Sequence, residues 1–299
     1  MRQILITGGT GQVGTELAAI DWPEDVTPLF PGRDELNLAD PASIRAYVGE
    51  REIAAVINPA AYTAVDKAET ESSSAFSINA VGPAALADAT RERGIPLIHV
   101  STDYVFDGSK NAAYEVDDPI CPINVYGASK AAGELAVRTG NPRHVILRTA
   151  WVFSPHGGNF VKTMLRLSDR SELRVVNDQK GCPTSAADIA ATLATIALRQ
   201  LDDPDAPCGT YHFVNDGPTT WFNFASEIFR QHHQHGAAVP VVHPIETSEY
   251  PTPARRPTNS VLSTARLQDD YGIKPRHWRE ALADTLARLR ETNSAGSHG

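Results

Sequence analysis

Tyr126 and Lys130 lie four residues apart in the segment Tyr126-Gly127-Ala128-Ser129-Lys130. On a helix this spacing places a phenol and an ammonium group one turn apart on the same face. A tyrosine with its ordinary pKa of roughly 10 is a poor acid–base catalyst near neutral pH, and a neighbouring ammonium lowers that pKa. The pair is therefore a candidate proton donor to a carbonyl oxygen, although the same spacing also occurs by chance in many helices.

A glycine-rich turn follows the first apolar run of the chain. It reads Thr7-Gly8-Gly9-Thr10-Gly11-Gln12-Val13-Gly14. The spacing predicts a tight reversal at Gly8, close approach of backbone to a pyrophosphate at Gly11, and close helix packing at Gly14. The N–H groups and positive dipole end of the following helix attract phosphate. A glycine-rich connection without a ligand is the alternative, and the alternating strand and helix patterns that follow favour the nucleotide.

Composition limits the class of protein. The chain has 299 residues, of which 41% are hydrophobic and 21% charged, and this predicts a globular protein with one large core or two modest ones. No apolar run approaches the roughly 18–20 residues that span a bilayer, and no secretory segment precedes the first strand, so we expect a cytoplasmic protein. The formal net charge of −9 disfavours nucleic-acid binding.

Cysteine and histidine patterns give no metal site. The three cysteines, Cys121, Cys182 and Cys208, have no CxxC spacing and are expected to be reduced and structural. The His-rich segment 231–235 lies at the end of an amphipathic pattern and is typical of a solvated helix end. We therefore predict no metal ligand in either group.

Alternating patterns predict an α/β fold, a Rossmann-like doubly wound parallel sheet covered by helices on both faces. The predicted strands are 3–7, 26–30, 54–59, 96–101, 144–149 and 173–177, and the predicted helices lie near 12–20, 41–51, 72–93, 124–139, 159–169 and 185–200. Beyond residue 205 the units become shorter: Tyr211-His212-Phe213-Val214, a helix near 221–232 and a Pro-rich stretch at 240–257. This indicates a smaller C-terminal α/β substrate-binding region.

We expect three parts along the chain. Residues 1–150 are predicted to form an NAD(P)-binding core that carries the catalytic residues. Residues 151–292 are predicted to form mainly the substrate-binding region, with some segments returning to the core. The small polar segment 293–299 is predicted to be a disordered tail.

Three motifs together resemble the extended short-chain dehydrogenase/reductases: the glycine turn, the segment Ser101-Thr102-Asp103-Tyr104-Val105-Phe106 after the fourth strand, and the Tyr126–Lys130 pair. More narrowly, the chain resembles the dTDP-4-dehydrorhamnose reductase family. That resemblance is carried by Gly11-Gln12-Val13-Gly14, Thr63-Ala64-Val65-Asp66-Lys67-Ala68-Glu69, Asn124-Val125-Tyr126-Gly127, Arg148-Thr149-Ala150-Trp151-Val152, Asn177-Asp178-Gln179, Tyr250-Pro251-Thr252-Pro253 and Arg256-Pro257-Thr258-Asn259-Ser260.

The resemblance implies reduction of the C4 ketone of dTDP-4-dehydro-L-rhamnose by a nicotinamide cofactor, the final step of dTDP-L-rhamnose biosynthesis. In that reading Tyr126 donates the proton, Lys130 lowers the pKa of Tyr126 and binds the nicotinamide ribose, and Thr102 binds the reacting oxygen. Two alternatives stay open. One is a nucleotide-sugar epimerase or dehydratase of the same fold, and the other is a non-catalytic NADP-binding regulatory subunit.

Further residues are candidates for binding the sugar nucleotide. Asp103 and Tyr104 adjoin Thr102 in the shared motif. Trp151 follows a strand at its carboxyl end, where open α/β sheets bind ligands, and the alternative for this ring is a place in the core. Arg255 and Arg256 lie between prolines and offer positive charge for a diphosphate, and Asn259 offers an amide for the sugar or base.

The cofactor prediction depends on the end of the second strand. There Arg33, suited to an NADP phosphate, precedes Asp34, suited to the ribose hydroxyl of NAD, and we predict NADPH with NADH tolerated. Asn37 is predicted to contact adenine. The segment Ala60-Ala61-Tyr62 after the third strand is predicted to let the cofactor approach, and Asn79 to support the active-site helix or a water. These residues join Gly8, Gly11, Gln12, Val13, Gly14, Tyr126 and Lys130 as predicted cofactor-site residues.

The oligomeric state and any magnesium ion stay open. Some members of the family join two copies through magnesium and acidic side chains. Glu16 matches one such position, whereas Ala187 stands where another carboxylate is expected. A homodimer is therefore a possibility without an assigned metal ligand.

Overall fold

A computed structural model describes residues 1–296. Its strands are β1 (Arg2–Ile6), β2 (Val26–Leu29), β3 (Ile53–Asn58), β4 (Leu97–Thr102), β5 (His144–Thr149), β6 (Val152–Phe153), β7 (Glu172–Val176), β8 (Lys180–Gly181), β9 (Thr184–Ser185), β10 (Gly209–His212), β11 (Thr219–Thr220) and β12 (Val241–Ile245).

The helices alternate with these strands. They are α1 (Gln12–Ala18), α2 (Pro41–Gly49), α3 (Val65–Ala68), α4 (Ser72–Phe76), α5 (Gly82–Glu92), α6 (Val125–Gly140), α7 (Phe160–Arg166), α8 (Ala186–Asp202), α9 (Trp221–His233), α10 (Ala265–Tyr271) and α11 (Trp278–Gly296). A π-helical turn at Ser77–Val81 joins α4 to α5, and short 3₁₀ turns lie at Asp103–Val105 and Thr247–Glu249. The tail predicted at 293–299 overlaps the end of α11, and its last three residues lie outside the described residues.

The central sheet has six parallel strands in the order β2-β1-β3-β4-β5-β10. Helices cover both faces, as the alternation along β1 requires: Ile4 and Ile6 pack in one apolar cluster and Leu5 in the other. From β1 the chain moves outward to β2 and then crosses to β3 on the other side of β1. Ligands of such sheets bind outside the carboxyl ends of the strands at this switch point. The predicted α/β class is confirmed.

One predicted strand belongs elsewhere. Residues 172–176 do not extend the central sheet but form β7, which pairs with β12 in a separate two-stranded parallel sheet. The reason lies in burial: Glu172 and Arg174 are exposed on β7, whereas residues 210–212 of β10 are buried. Helices cover both faces of a parallel sheet, so its strands need side chains that can be buried. The buried residues of β10 suit such a place, whereas the exposed charged residues of β7 do not. A third apolar cluster, around Phe153, Phe224 and Trp278, forms the core of the C-terminal part.

Candidate functional site

The glycine turn is tightly built at the carboxyl end of β1. Gly8 has a φ of +62°, and a Cβ at this position would lie 2.9 Å from the Cβ of Ala60 after β3. A Cβ on Gly14 would lie 2.2 Å from the carbonyl oxygen of Gly8. Because neither contact is tolerable, the turn requires glycine at both places. The result is a cradle of backbone at the N-terminus of α1, open to a phosphate.

A cavity of about 480 Å³ lies over this cradle, at the switch point of the sheet. Five of the predicted cofactor residues line it: Gly8, Arg33, Asn37, Ala60 and Ala61. The wall is completed by residues that the sequence analysis did not single out for the cofactor: Thr7, Gly9, Thr10, Ala18, Phe30, Pro31, Gly32, Leu36, Leu38, Ala39 and Ile78. A largely apolar cavity that ends in an arginine fits the adenosine half of a dinucleotide.

Two predicted cofactor residues make contacts inside the protein. The side-chain oxygen of Gln12 accepts hydrogen bonds from Ser154 (3.0 Å) and Asn159 (2.8 Å), so it joins the glycine turn to the loop before α7. Val13 packs against the apolar cluster below the turn. Gln12 therefore connects the turn with the neighbouring loop, and Val13 anchors it to the apolar core.

Asn79 lies buried in the π-helical turn and uses its amide to join two elements. Its side-chain oxygen accepts from the backbone N–H of Tyr62 (2.8 Å), and its amide nitrogen donates to the Tyr62 carbonyl (3.0 Å) and to Ser129 on α6 (2.9 Å). Of the two predicted roles, this geometry favours support of the active-site helix. The Tyr62 hydroxyl points outward and donates to Glu71 (2.6 Å).

Helix α6 positions Tyr126 and Lys130. Asn124 caps its N-terminus, accepting from the backbone N–H of Gly127 at 2.7 Å. A Cβ on Gly127 would lie 2.1 Å from the carbonyl oxygen of Tyr104, so this glycine lets the helix pack directly on the turn after β4. The packing brings Tyr126 beside Thr102, the last residue of β4, and the rings of Tyr104 and Tyr126 meet edge to face.

Burial governs the acidity of the tyrosine. It raises the pKa of Tyr126 to about 12, a hydrogen bond with Thr102 opposes the rise, and the charge of Asp103 adds to it. Lys130 was expected to lower this pKa, but the groups that set it are different: burial is the largest cause, followed by Thr102 and Asp103. The phenol therefore stays protonated across neutral pH.

Asp103 and Lys130 are also buried. Burial raises the pKa of Asp103 to about 6, against hydrogen bonds that include one from the Thr102 hydroxyl at 2.9 Å. Burial lowers the pKa of Lys130 from 10.5 to about 8, and the carboxylate of Glu134 limits the fall. The Lys130 ammonium donates to the backbone carbonyl of Val100 at 2.7 Å.

A second cavity, of about 750 Å³, opens beside Tyr104 toward the C-terminal part. Its lining combines aromatic and aliphatic side chains from α7, β7 and α9 with two arginines, Arg174 of β7 and Arg256 of the Pro-rich segment. Its lining is Asp66, Tyr104, Phe160, Thr163, Met164, Leu167, Leu173, Arg174, Val175, Val176, Gln179, Trp221, Tyr250, Thr252 and Arg256. This combination suits a flat base and an anionic linker.

Arg256 lines this second cavity, and Asp66 holds it there. The guanidinium of Arg256 lies 2.9 Å from the Asp66 carboxylate, which also accepts from the backbone N–H of Ala254. Asp66 is on α3 and Arg256 on the Pro-rich segment, so the pair ties the two together. Arg255 is exposed and lies outside the cavity lining, and its carbonyl accepts from the cap residue Asn124.

Asn259 departs from its predicted role. Its amide nitrogen donates to the carbonyls of Lys110 (2.7 Å) and Ala112 (2.9 Å), and its oxygen accepts from Val261. Both amide protons are therefore used to hold the loop after β4. This geometry does not favour the predicted contact with the sugar or base.

Trp151 adopts a backbone conformation that is rare for any residue except glycine. Its φ is +50°, and its ring stacks on Trp221 with 3.5 Å between the centroids. Gly181 lies directly beneath, where a Cβ would come within 2.4 Å of the indole. Ligand contact and a place in the core were the two roles left open for Trp151, and the structure shows it packed against another aromatic side chain. Trp221, and not Trp151, lines the second cavity.

Glu16 is paired with Arg288 and His156 of the same chain. Its carboxylate accepts from Arg288 of α11 at 2.8 Å and lies 3.3 Å from the His156 imidazole. A guanidinium in this place repels a divalent cation. Within residues 1–296 no group of three or more His, Cys, Asp or Glu side chains is arranged to hold a metal ion. The residues present therefore do not fit a magnesium site at Glu16.

The fold and the site together define a Rossmann-type oxidoreductase of the extended short-chain dehydrogenase/reductase kind. Comparison with known proteins narrows this class. A family model described as the RmlD substrate binding domain matches residues 1–291. The dTDP-4-dehydrorhamnose reductase of Sinorhizobium fredii is 45% identical over 281 residues, which are 93% of this chain and 95% of that protein.

Solved structures agree with the sequence relatives. A dTDP-4-dehydrorhamnose reductase from Clostridium acetobutylicum superposes with a TM-score of 0.90 at 37% identity, covering 96% of this chain and 99% of its own. The Bacillus anthracis enzyme of that name, solved in complex with NADP, gives 0.89 at 35% identity over 96% of this chain and all of its own. The chain belongs to the dTDP-4-dehydrorhamnose reductase family.

Among the described residues, no helix combines the length and the apolar composition that crossing a bilayer requires.

Proposed function

We propose that the protein reduces the C4 ketone of dTDP-4-dehydro-L-rhamnose with NADPH and so completes dTDP-L-rhamnose synthesis. The observation that carries the proposal is the position of the paired Thr102 and Tyr126 hydroxyls. These hydroxyls lie at the carboxyl end of the central sheet, where the cavity that fits a dinucleotide also lies. Tyr104, beside the two hydroxyls, lines the second cavity, which fits a sugar nucleotide. The names of the relatives, and the NADP bound to one of them, support the same substrate and cofactor.

The chain's own residues supply the proton chemistry. When bound, the reduced nicotinamide supplies a hydride to the ketone carbon. Thr102 and Tyr126 bind the ketone oxygen, where negative charge develops. An alkoxide is the conjugate base of an acid about as weak as water, whose pKa is roughly 15.7. Transfer of the Tyr126 proton to that oxygen is therefore favourable even though burial raises the pKa of the phenol to about 12.

Lys130 supports this step from behind the tyrosine. As an ammonium it stabilises the phenolate that remains after proton transfer, and it offers a donor to the ribose of the nicotinamide. Its lowered pKa, about 8, means that this charge is lost at moderately alkaline pH. We expect the rate of reduction to fall as pH rises through this value.

Product analysis tests the proposed function. Incubation with dTDP-4-dehydro-L-rhamnose and NADPH should oxidise one NADPH for each dTDP-L-rhamnose formed. An epimerase or dehydratase of this fold would instead return its nicotinamide unchanged and need no external supply. A binding subunit would show neither product nor NADPH consumption. Either of these last two results would rule out the proposed reaction.

Arg33 is predicted to select the phosphorylated cofactor. It lines the adenosine end of the cavity, and only NADPH offers a 2′-phosphate for a charge-assisted hydrogen bond of about 1.5–3 kcal/mol. Arg33→Ala should therefore weaken NADPH roughly 10- to 100-fold and NADH little, measured by fluorescence titration. Arg45→Ala is the matched control, since Arg45 is exposed on α2 outside the cavity lining. Equal weakening of both cofactors would transfer the selection to Asp34 or Asn37.

Arg256 is predicted to bind the diphosphate of the sugar nucleotide. Arg256→Ala should raise the KM for the dTDP-sugar by roughly tenfold or more, the value of one charge-assisted hydrogen bond, and leave NADPH affinity unchanged. Asp66→Asn tests the support: it keeps the guanidinium but removes its ionic partner, so a smaller rise in the same KM is expected. Arg255→Ala provides the comparison, because this exposed neighbour lies outside the cavity lining. Loss of NADPH affinity with sugar affinity intact would place this segment in the cofactor site.

We also propose that Glu16 holds no magnesium ion. The Arg288 guanidinium already neutralises Glu16, the position that the family resemblance connects with the metal. Likewise, the division into a cofactor-binding part at 1–150 and a mainly substrate-binding part at 151–292 is a proposal. It is supported by the second cavity, most of whose lining comes from residues beyond 150.

A further inference from the structure

A row of polar side chains runs beneath Lys130, inside the apolar sheet. The Lys130 nitrogen lies 3.5 Å from Nε2 of His99, and Nδ1 of the same ring lies 3.0 Å from the Asn58 amide nitrogen. The Asn58 oxygen accepts from the Thr7 hydroxyl at 2.5 Å. All four side chains are buried. We call this row the Lys130–Thr7 chain.

The topology of the sheet explains why these residues meet. Asn58 and His99 are directly paired between β3 and β4, and Thr7 follows β1, the neighbour of β3 on its other side. Lys130 reaches the row from α6, which packs on β4. Polar groups buried in a parallel sheet are costly unless each finds a partner. Because Thr7 opens the glycine turn, the row links the catalytic helix with the phosphate cradle.

The direction of the hydrogen bonds depends on the charge of Lys130. An ammonium only donates, so a charged Lys130 requires a lone pair on Nε2 and a proton on Nδ1 of neutral His99. The Asn58 oxygen must then face His99, and its amide nitrogen must donate to Thr7. A neutral Lys130 amine can accept instead from Nε2–H. Asn58 then has the orientation seen in the structure, with its nitrogen donating to Nδ1 and its oxygen accepting from Thr7.

We propose that His99 is a positioning residue for Lys130, and that the protonation of Lys130, the tautomer of His99 and the amide orientation of Asn58 change together. The coupling within the Lys130–Thr7 chain is independent of the substrate, whereas its effect on catalysis rests on the proposed function. The charged group that acts on Lys130 is Glu134, also on α6, and the one that acts on His99 is Lys130 itself. Tyr126 lies one helical turn before Lys130, and Asp103 after β4 acts on Tyr126. Glu134 is paired with the Arg148 guanidinium at 2.7 Å. Burial and the nearby Lys130 keep the pKa of His99 well below its ordinary value, so the imidazole stays neutral.

Nitrogen NMR of the nucleotide-free protein labelled with ¹⁵N-histidine tests this without any substrate. The His99 signals are assigned by their disappearance in His99→Gln. Wild-type His99 should carry its proton on Nδ1 at pH 6.5 and on Nε2 at pH 9.5, with the change centred near pH 8. In Lys130→Met one tautomer should persist throughout. A single tautomer in the wild-type protein across this range overturns the proposal, whatever the enzyme's substrate.

Kinetics give the second readout. His99→Leu removes the acceptor that stabilises the Lys130 ammonium, so kcat should fall roughly tenfold or more and its alkaline limb should move to lower pH. His99→Gln keeps a side chain that can accept and donate hydrogen bonds. Its kcat and the position of its alkaline limb should therefore be closer to those of the wild type than in His99→Leu. Unchanged pH limbs in a folded His99→Leu protein would contradict the positioning role. If the wild-type protein fails to reduce the dTDP-sugar, the proposed function fails while the NMR result still decides this inference.

Discussion

Tyr126→Phe is expected to lose at least 100-fold in kcat while it binds NADPH as tightly as the wild type. The substitution removes one hydroxyl from a buried ring and leaves its packing intact, so the proton for the ketone oxygen is lost and little else changes. Positioned general acids contribute roughly 10²- to 10⁴-fold to rate. The KM for the sugar should change less than kcat, since the hydroxyl acts chiefly in the transition state.

Steady-state kinetics and a fluorescence titration with NADPH measure both parts of this result. Tyr47→Phe is the matched control, because it also removes a hydroxyl from a buried tyrosine. Tyr47 packs on one face of the central sheet, and helix α1, which follows the glycine turn, packs on the other. Retention of kcat within a few-fold in Tyr126→Phe would show that another group donates the proton.

The strands of the central sheet could be predicted from sequence because parallel strands are apolar on both faces. Five of the six predicted strands match β1 to β5 within a residue or two at each end. The sixth could not be placed, since β7 and β10 have similar β-branched and aromatic content. Only the tertiary environment distinguishes them, by leaving Glu172 and Arg174 in solvent. Strand β12 lies in the Pro-rich stretch and contains Pro244. Proline disfavours the interior of a sheet, but β12 is an edge strand of a two-stranded sheet, where proline is tolerated.

The candidate site shows the same limit. The glycine turn and the Tyr126–Lys130 pair are local patterns, so their spacing could suggest a phosphate site and a proton donor. The Asp66–Arg256 pair and the Lys130–Thr7 chain join residues far apart in sequence, so they cannot be predicted from a local spacing. A signal did exist for His99: it interrupts the apolar run Leu97-Ile98-His99-Val100, where a buried polar side chain needs a partner. The acidity of Tyr126 was misjudged for a related reason, because burial cannot be read from a helical spacing.

Lys130→Met is expected to lose most activity and yet make the folded protein more stable at pH 7. Burial lowers the pKa of Lys130 from 10.5 to about 8, which means that the folded state carries the ammonium at a cost. A difference of this size corresponds to about 3 kcal/mol. The variant also forfeits the hydrogen bonds to the Val100 carbonyl and to His99, each worth about 1 kcal/mol, so a net gain of about 1 kcal/mol is expected.

The pH dependence of that gain identifies its cause. Below pH 8 the lysine is charged in both the folded and the unfolded protein, and the full cost of burying the ammonium is present. Between pH 8 and 10.5 the folded state releases the proton while the unfolded state keeps it, so wild-type stability rises relative to the variant and the gain shrinks. Urea denaturation of both proteins at pH 7 and pH 10 measures this, with the exposed Lys274→Met as the control. A gain that is equal at both pH values would mean that the gain does not come from the buried ammonium. A variant less stable than wild type at pH 7 would mean that Lys130 stabilises the fold as well as the phenolate. The site would then have no stability cost for its buried charge.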